Sequence, residues 1–225
     1  MPGEALPPDY DEQPERFRTA RSVLRRHALA ADIHADVARR FLDEGLTPVL
    51  DVGCGEGELA RHLPGGAWVG VDSSPTMLAE APGPVVPAEA TALPYPNASF
   101  GSVALLYVLY HLAEPSLALA EAHRVLRPGG LLAVAAPSRF DSPELLPPAS
   151  LTFDAEVAPV LVGELFAEVE VRRWDAPLLR LPDRAAVLDY LLGKGVGSDR
   201  AAAIADGAET PLRVTKRGAL VFGRR

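Results

Sequence analysis

The chain has 225 residues, 48% hydrophobic and 23% charged, enough to bury one substantial core. Its formal net charge of −8 is the opposite of the basic character that phosphate backbones require, which excludes nucleic acid as an expected partner. The single cysteine excludes an internal disulfide, and the lack of a signal-peptide pattern or of an apolar run near ~20 residues predicts a cytoplasmic protein without a membrane partner.

The first part of the chain is predicted to be helical. Residues 1 to about 14 are rich in Pro, Asp and Glu, and we expect them to form a loose lead-in. From Pro14 to Glu44 the apolar residues recur at helical spacing, and Gly45 follows where a helix C-cap is expected. We therefore predict an N-terminal helical cap over residues 1–45.

Short apolar runs alternate with amphipathic segments between residues 46 and 137. The predicted strands cover residues 49–52, 68–71, 85–86, 101–107 and 131–136. The predicted helices cover residues 57–63, 74–81 and 116–126. This alternation predicts right-handed βαβ units, and therefore a doubly wound α/β fold with a parallel sheet.

The last third of the chain has a weaker pattern and is interrupted by prolines at positions 143, 147, 148, 159 and 177. We predict a strand over residues 168–174, a helix over 185–192 and a final short strand over 220–222. The whole chain is expected to form one domain, with a cofactor-binding core at residues 46–137 and a substrate-side part at 138–225.

A glycine-rich loop follows the first predicted strand in the sequence VLDVGCGEG, residues 49–57. Such a loop also suits dinucleotides, whose pyrophosphate binds at a helix N-terminus. The carboxylates of Asp51 and Glu56 would repel a pyrophosphate, whereas they would attract the sulfonium and ammonium groups of S-adenosylmethionine (SAM). The pattern favours SAM and leaves an NAD-dependent oxidoreductase as an alternative.

A second acidic residue, Asp72, ends the second predicted strand, nineteen residues after Gly53. An acid in this position accepts hydrogen bonds from the ribose hydroxyls of a bound nucleoside. Because NAD sites and SAM sites share this feature, Asp72 predicts a nucleoside without identifying which one.

Four blocks in this order give the chain a resemblance to class I SAM-dependent methyltransferases, particularly those of quinone biosynthesis. They are residues 49–57, then GVDSSPTML at 70–78, EATALPYPNASF at 89–100 and RVLRPGG at 124–130. The resemblance covers residues 48–137. It implies a Rossmann-like sheet of seven mostly parallel strands with helices on both faces and an antiparallel last strand.

The resemblance also implies a set of residues around the cofactor SAM. Asp51 would serve the ammonium group, Asp72 the ribose, and Met77 the adenine ring. Glu89 stands where the family usually has aspartate near the adenine amino group, and Gly101 replaces an aspartate that commonly follows Ser-Phe. The implied cofactor site comprises Asp51, Gly53, Cys54, Gly55, Asp72, Ser73, Met77, Glu89, Ala90 and Tyr107.

The carboxyl end of the fourth predicted strand is where a methyl acceptor would meet the cofactor. His111 is the best-placed general base there, although a structural role is an open alternative, and no metal site is predicted. Tyr10 and Phe17 are expected in a lid. The expected lining of the acceptor pocket is Arg139, Phe140, Phe153 and Trp174.

The expected partner is a small-molecule methyl acceptor whose attacking atom the sequence does not define, and a homodimer is left open. A non-catalytic SAM-binding protein and a protein methyltransferase are the alternatives. The chain has two lysines against twenty arginines, a composition typical of a GC-rich bacterial gene.

Overall fold

The computed structural model describes residues 11–12, 14–29 and 32–225. Its strands are β1 (Val49–Val52), β2 (Trp68–Asp72), β3 (Val85–Pro87), β4 (Phe100–Leu106), β5 (Leu126–Pro137), β6 (Glu168–Leu181) and β7 (Leu212–Arg224). All seven form one sheet in the order β3-β2-β1-β4-β5-β7-β6. The first five are parallel, and β7 is antiparallel to both β5 and β6. The predicted fold class is confirmed.

The strand order reverses at β1, which has β2 on one side and β4 on the other. At such a point the connections leave β1 and β4 toward opposite faces, and a crevice opens outside the carboxyl ends of the strands. Because β1 to β5 are parallel, the residues that follow them in the chain meet at this one edge of the sheet.

Helices cover both faces of the sheet. Others pack at one end of the long strand pair β6–β7. The helices are α1 (Pro14–His27), α2 (Ile33–Asp43), α3 (Pro75–Leu78), α4 (Pro115–Val125), α5 (Ala158–Gly163), α6 (Arg184–Gly193) and α7 (Ser198–Gly207). Leu119 of α4 and Val162 of α5 are buried on one face, and Phe41 of α2 on the other. Val23 of α1 packs with α6 and α7 in a third cluster. Within the described ranges, no helix combines the length and apolarity needed to cross a membrane.

Several predicted elements differ from the structure. The final strand, predicted over residues 220–222, runs from Leu212 to Arg224. The helix predicted at residues 57–63 is wrong, because Gly57 has a φ of +73° and only a 3₁₀ turn, Leu59–His62, fits before Pro64. The predicted helical region at 14–44 divides into α1 and α2. The strand predicted to stop at Trp174 continues to Leu181, since a register shift between Ala176 and Leu179 accommodates Pro177.

Gly101 explains one departure from the family pattern. It lies in β4, where the backbone of Leu46 passes closely: a Cβ atom on Gly101 would lie 2.7 Å from the carbonyl carbon of Leu46. Its N–H also donates to the carbonyl oxygen of Pro48 at 3.0 Å. Because the obstacle is backbone rather than a flexible side chain, this position requires glycine.

We expect Gly101→Ala to destabilise the protein by about 1–3 kcal/mol, the usual cost of overpacking. Gly65→Ala is the matched control, since a Cβ atom there would meet nothing within 4 Å. Both changes reduce the entropy of the unfolded chain equally, so the difference between them isolates the clash. Urea unfolding of the two variants measures it, and equal midpoints would contradict the close contact.

Candidate active site

The glycine-rich loop is fixed by hydrogen bonds to the end of β2. The N–H groups of Gly53 and Cys54 both donate to the carbonyl oxygen of Val71, at 2.7 and 3.0 Å. Gly53 has a φ of +69°, and a Cβ atom there would come within 2.3 Å of a Val108 methyl group. Glycine is therefore needed at this position both for its backbone conformation and for lack of space.

Asp72 holds the loop against the start of α3. Its Oδ2 accepts the N–H of Gly55 at 2.8 Å, and its Oδ1 accepts the N–H of Ser74 at 2.9 Å. Each carboxylate oxygen has a second lone pair, so Asp72 retains acceptor capacity for a ligand. The residue thus shapes the loop as well as standing where a ribose would bind.

Asp51 is a buried carboxylate on β1, 4% exposed. Its Oδ2 accepts the indole N–H of Trp68 at 3.1 Å. Burial raises the pKa of Asp51 to about 6, and this effect outweighs the indole hydrogen bond and the charge of His34. A carboxylate with so little compensation favours a cationic ligand beside it.

The remaining predicted cofactor residues lie along the same edge with different exposure. Cys54 and Met77 are buried, and burial raises the pKa of the Cys54 thiol, which makes it unreactive. Ser73 and Glu89 are exposed, while Ala90 is buried. The structure brings Asp51, the loop and Asp72 together, whereas Met77 is covered by its neighbours.

Tyr107 and His111 follow β4 at the carboxyl edge. Tyr107 has a φ of +62°, an uncommon conformation for a bulky residue, and its N–H donates to the carbonyl oxygen of Ala135 at 2.9 Å. His111 ends a 3₁₀ turn, Leu109–His111, and its ring packs on Tyr110 with 4.3 Å between centroids. Burial raises the pKa of both tyrosines.

Helix α1 lies over the loop, a contact that the sequence did not predict. Arg21 forms an ion pair with Glu56, and Arg18 lies 3.7 Å from the same carboxylate. Asp11 accepts the Ser74 hydroxyl at 2.6 Å, at the start of α3. Since Glu56 is paired with arginine, we no longer expect its charge to repel a pyrophosphate. The electrostatic argument against a dinucleotide therefore rests on Asp51 alone.

The predicted lid and pocket residues are placed as follows. Tyr10 and the side chain of Phe17 lie outside the described residues. Phe153 is fully buried between the sheet and its helices, so its prediction as a lining residue is wrong. Trp174 packs on Gly218, where a Cβ atom would lie 2.3 Å from the indole. Phe140 is 45% exposed, and its place in the pocket lining stays a prediction.

A polar cluster beyond the end of β5 was missed by the sequence analysis. We call it the lysine cluster: Asp141, Ser142, Tyr190, Lys194 and Lys216. Its members lie far apart in the sequence, and the one available signal was that these two lysines are the only ones in the chain. In the described part of the chain, no group of three or more His, Cys, Asp or Glu side chains is arranged to hold a metal ion.

Comparison with known proteins identifies the family. Residues 50–134 match a family model described as a methyltransferase domain. A demethylmenaquinone methyltransferase of Thermus thermophilus is 39% identical over 106 residues, 41% of this chain and 48% of that protein. A trans-aconitate 2-methyltransferase of Deinococcus radiodurans is 32% identical over 188 residues, 70% of this chain and 66% of that protein. The chain thus spans about half the length of the first relative.

Solved structures share the fold at low sequence identity. The [4+2]-cyclase SpnF has a TM-score of 0.64 at 19% identity, covering 100% of this chain and 99% of that one. A phosphoethanolamine N-methyltransferase of Haemonchus contortus, solved with S-adenosylhomocysteine (SAH), has a TM-score of 0.64 at 14% identity, covering 96% and 59%. Together with the loop at the carboxyl edge and the matched sequence blocks, these similarities show that the chain belongs to the class I SAM-dependent methyltransferases.

Proposed function

We propose that the protein transfers a methyl group from SAM to a small-molecule acceptor at the carboxyl edge of the sheet. The observation that carries the proposal is the buried carboxylate of Asp51, which comes just before the glycine-rich loop and has no paired cation among the described residues. When bound, SAM supplies an electrophilic methyl group on a positively charged sulfur, and its α-ammonium group would stabilise the ionised form of Asp51.

The residues present fit this cofactor at a second point. The hydroxyl of Tyr95 is buried and has no hydrogen-bond partner among the described residues. Burial raises the pKa of Tyr95, and the Cys54 thiol raises it further. Because buried polar groups are nearly always satisfied, a hydroxyl left without a partner in the described part of the chain supports a bound polar ligand.

We propose the following roles for the other residues. Asp72 would accept hydrogen bonds from the ribose while it holds the loop. Tyr107 and Tyr110 would line the acceptor side, and His111 would accept a proton from the acceptor if the attacking atom carries one. Most of the rate enhancement would come from holding acceptor and methyl group close and aligned.

A small-molecule acceptor is supported by the names of two relatives, which describe methylation of demethylmenaquinone and of trans-aconitate. The fold alone does not require methyl transfer, because SpnF has it and is described as a cyclase. That structure favours one alternative, a protein that uses this fold without transferring a methyl group.

Calorimetric titration with SAM, SAH and NAD tests the cofactor, and labelled SAM with an acceptor library tests transfer. We expect micromolar affinity for SAM or SAH, none for NAD, and transfer of label to a small molecule. Binding without transfer to any acceptor would support the cyclase-like alternative. A preference for NAD would contradict the proposal.

Two variants test separately how the ammonium group and the ribose of the cofactor are bound. Asp51→Asn is expected to weaken SAM and SAH by about tenfold or more, the value of a charge-assisted hydrogen bond, but to leave 5′-methylthioadenosine unaffected because that ligand lacks the ammonium group. Asp72→Ala is expected to weaken all three ligands. Calorimetry measures each affinity, and Asp43→Asn, at an exposed site, is the control. Equal losses for all ligands in Asp51→Asn would contradict its assignment.

The affinity for SAH is expected to fall as the pH decreases through about 6. Burial raises the pKa of Asp51 to about 6 in the free protein, and a protonated carboxyl no longer attracts the ammonium group. Titrations between pH 5 and 8 measure this dependence. The profile should be flat for Asp51→Asn and for 5′-methylthioadenosine. A wild-type profile matching that of the variant would contradict the proposal.

His111→Ala is expected to reduce turnover by about tenfold or more, in the range of general acid–base catalysis, while leaving SAM affinity unchanged. The ring packs on Tyr110, which follows β4 and is not part of the glycine-rich loop. Single-turnover rates and calorimetry measure the two quantities. If both decrease together, His111 has a structural role.

A further inference from the structure

The lysine cluster has an excess of positive charge. Oδ2 of the buried Asp141 accepts a hydrogen bond from Lys194 at 2.7 Å and a second from Lys216. Oδ1 accepts the N–H of Arg217 at 2.9 Å. Two ammonium groups therefore share one carboxylate, and in the described ranges no second carboxylate pairs with either lysine. The two ammonium groups and the carboxylate sum to one net positive charge.

The two lysines differ in how many of their donors are used. Lys216 also contacts the Tyr190 hydroxyl at 2.8 Å and the Ser142 hydroxyl at 3.4 Å, so all three of its N–H donors have partners. Lys194 has Asp141 as its one hydrogen-bond partner among the described residues, and its side chain is 33% exposed. Lys194 therefore has two N–H donors left for a ligand.

The cluster lies on the acceptor side of the site. Asp141 follows β5, and the pairing of Pro137 with Gly218 places Lys216 just beyond the carboxyl end of that strand. Lys194 donates to Asp141 at 2.7 Å, so its ammonium group lies beyond the same strand end.

The residue types are unusual for this chain. Lys194 and Lys216 are its only lysines among 22 basic residues, and both contact the same oxygen. The other described side-chain ion pairs use arginine or histidine. A lysine ammonium is a compact point charge that can share one oxygen with another ammonium in a crowded place, where a planar guanidinium would need more room.

We propose that the lysine cluster binds a carboxylate of the methyl acceptor, with Lys194 as the contacting residue. Asp141 and Lys216 would position Lys194 without touching the acceptor. A monoanionic carboxylate balances the single excess charge of the cluster, whereas a phosphate monoester dianion would exceed it. The inference rests on the proposed function for the identity of the acceptor, but the anion site is testable without methyl transfer.

The test compares Lys194→Gln with Arg184→Gln. Arg184 begins α6 and Lys194 directly follows it, so the control removes an exposed cation from the other end of that helix and changes the net charge equally. Lys194→Gln leaves Lys216 on Asp141, so the buried carboxylate remains paired. Glutarate, citrate and benzoate, with glutaramide as the neutral counterpart and glycerol 3-phosphate as the phosphate, are titrated by ligand-observed NMR. The titrations are made with and without saturating SAH.

We expect at least one carboxylate to bind and glutaramide not to bind. Lys194→Gln should weaken the carboxylate by about tenfold or more, and Arg184→Gln should leave it within about twofold. SAH affinity should be equal in all three proteins. Absence of carboxylate binding, equal binding in Lys194→Gln, or a preference for glycerol 3-phosphate would overturn the proposal. Failure of SAH to bind would refute the proposed function separately, since the titrations without SAH still test the cluster.

Discussion

The carboxylate of Asp72 joins parts of the chain that the site needs in one place. It lies at the end of β2 and accepts N–H groups from the glycine-rich loop and from the start of α3. The preceding residue, Val71, accepts two more N–H groups from the loop. Since buried backbone donors must find acceptors, the path of the loop is determined by where β2 ends. The protein's own hydrogen bonds therefore form this edge of the sheet before a ligand binds.

The strands of the core and the residues at their ends were predictable because each depends on a local pattern. An apolar run followed by glycine or aspartate places Asp51, Gly53 and Asp72 at one edge as soon as the sheet is parallel. Local patterns failed where a backbone conformation intervened. The left-handed φ of Gly57 is incompatible with the helix predicted over residues 57–63. A bulge allows β6 to continue past Pro177.

The parts that escaped prediction depend on contacts between distant segments. The lysine cluster joins residues 141, 190, 194 and 216, and it exists only because β7 is antiparallel to β5 in one register. The pairing of α1 with Glu56 is of the same kind. It also changes an electrostatic argument: a carboxylate that looks free in the sequence is paired with Arg21 and lies near Arg18. Charge arguments from a motif hold only for groups whose partners are known.

Two buried carboxylates near the carboxyl edge, Asp51 and Asp141, show how the partners of a group decide the direction in which its pKa is shifted. Burial raises the pKa of Asp51 to about 6, because the nearby groups compensate it only weakly. Burial would raise the pKa of Asp141 as well, but Lys194 and Lys216 lower it to about 2. In the described part of the chain Asp51 thus has no paired cation, whereas the lysine cluster has one cation in excess. A cationic methyl donor would balance the charge of Asp51, and an anionic acceptor would balance the excess charge of the lysine cluster. Such a division of charge would orient the two substrates before reaction, because either one bound in the place of the other would meet a like charge.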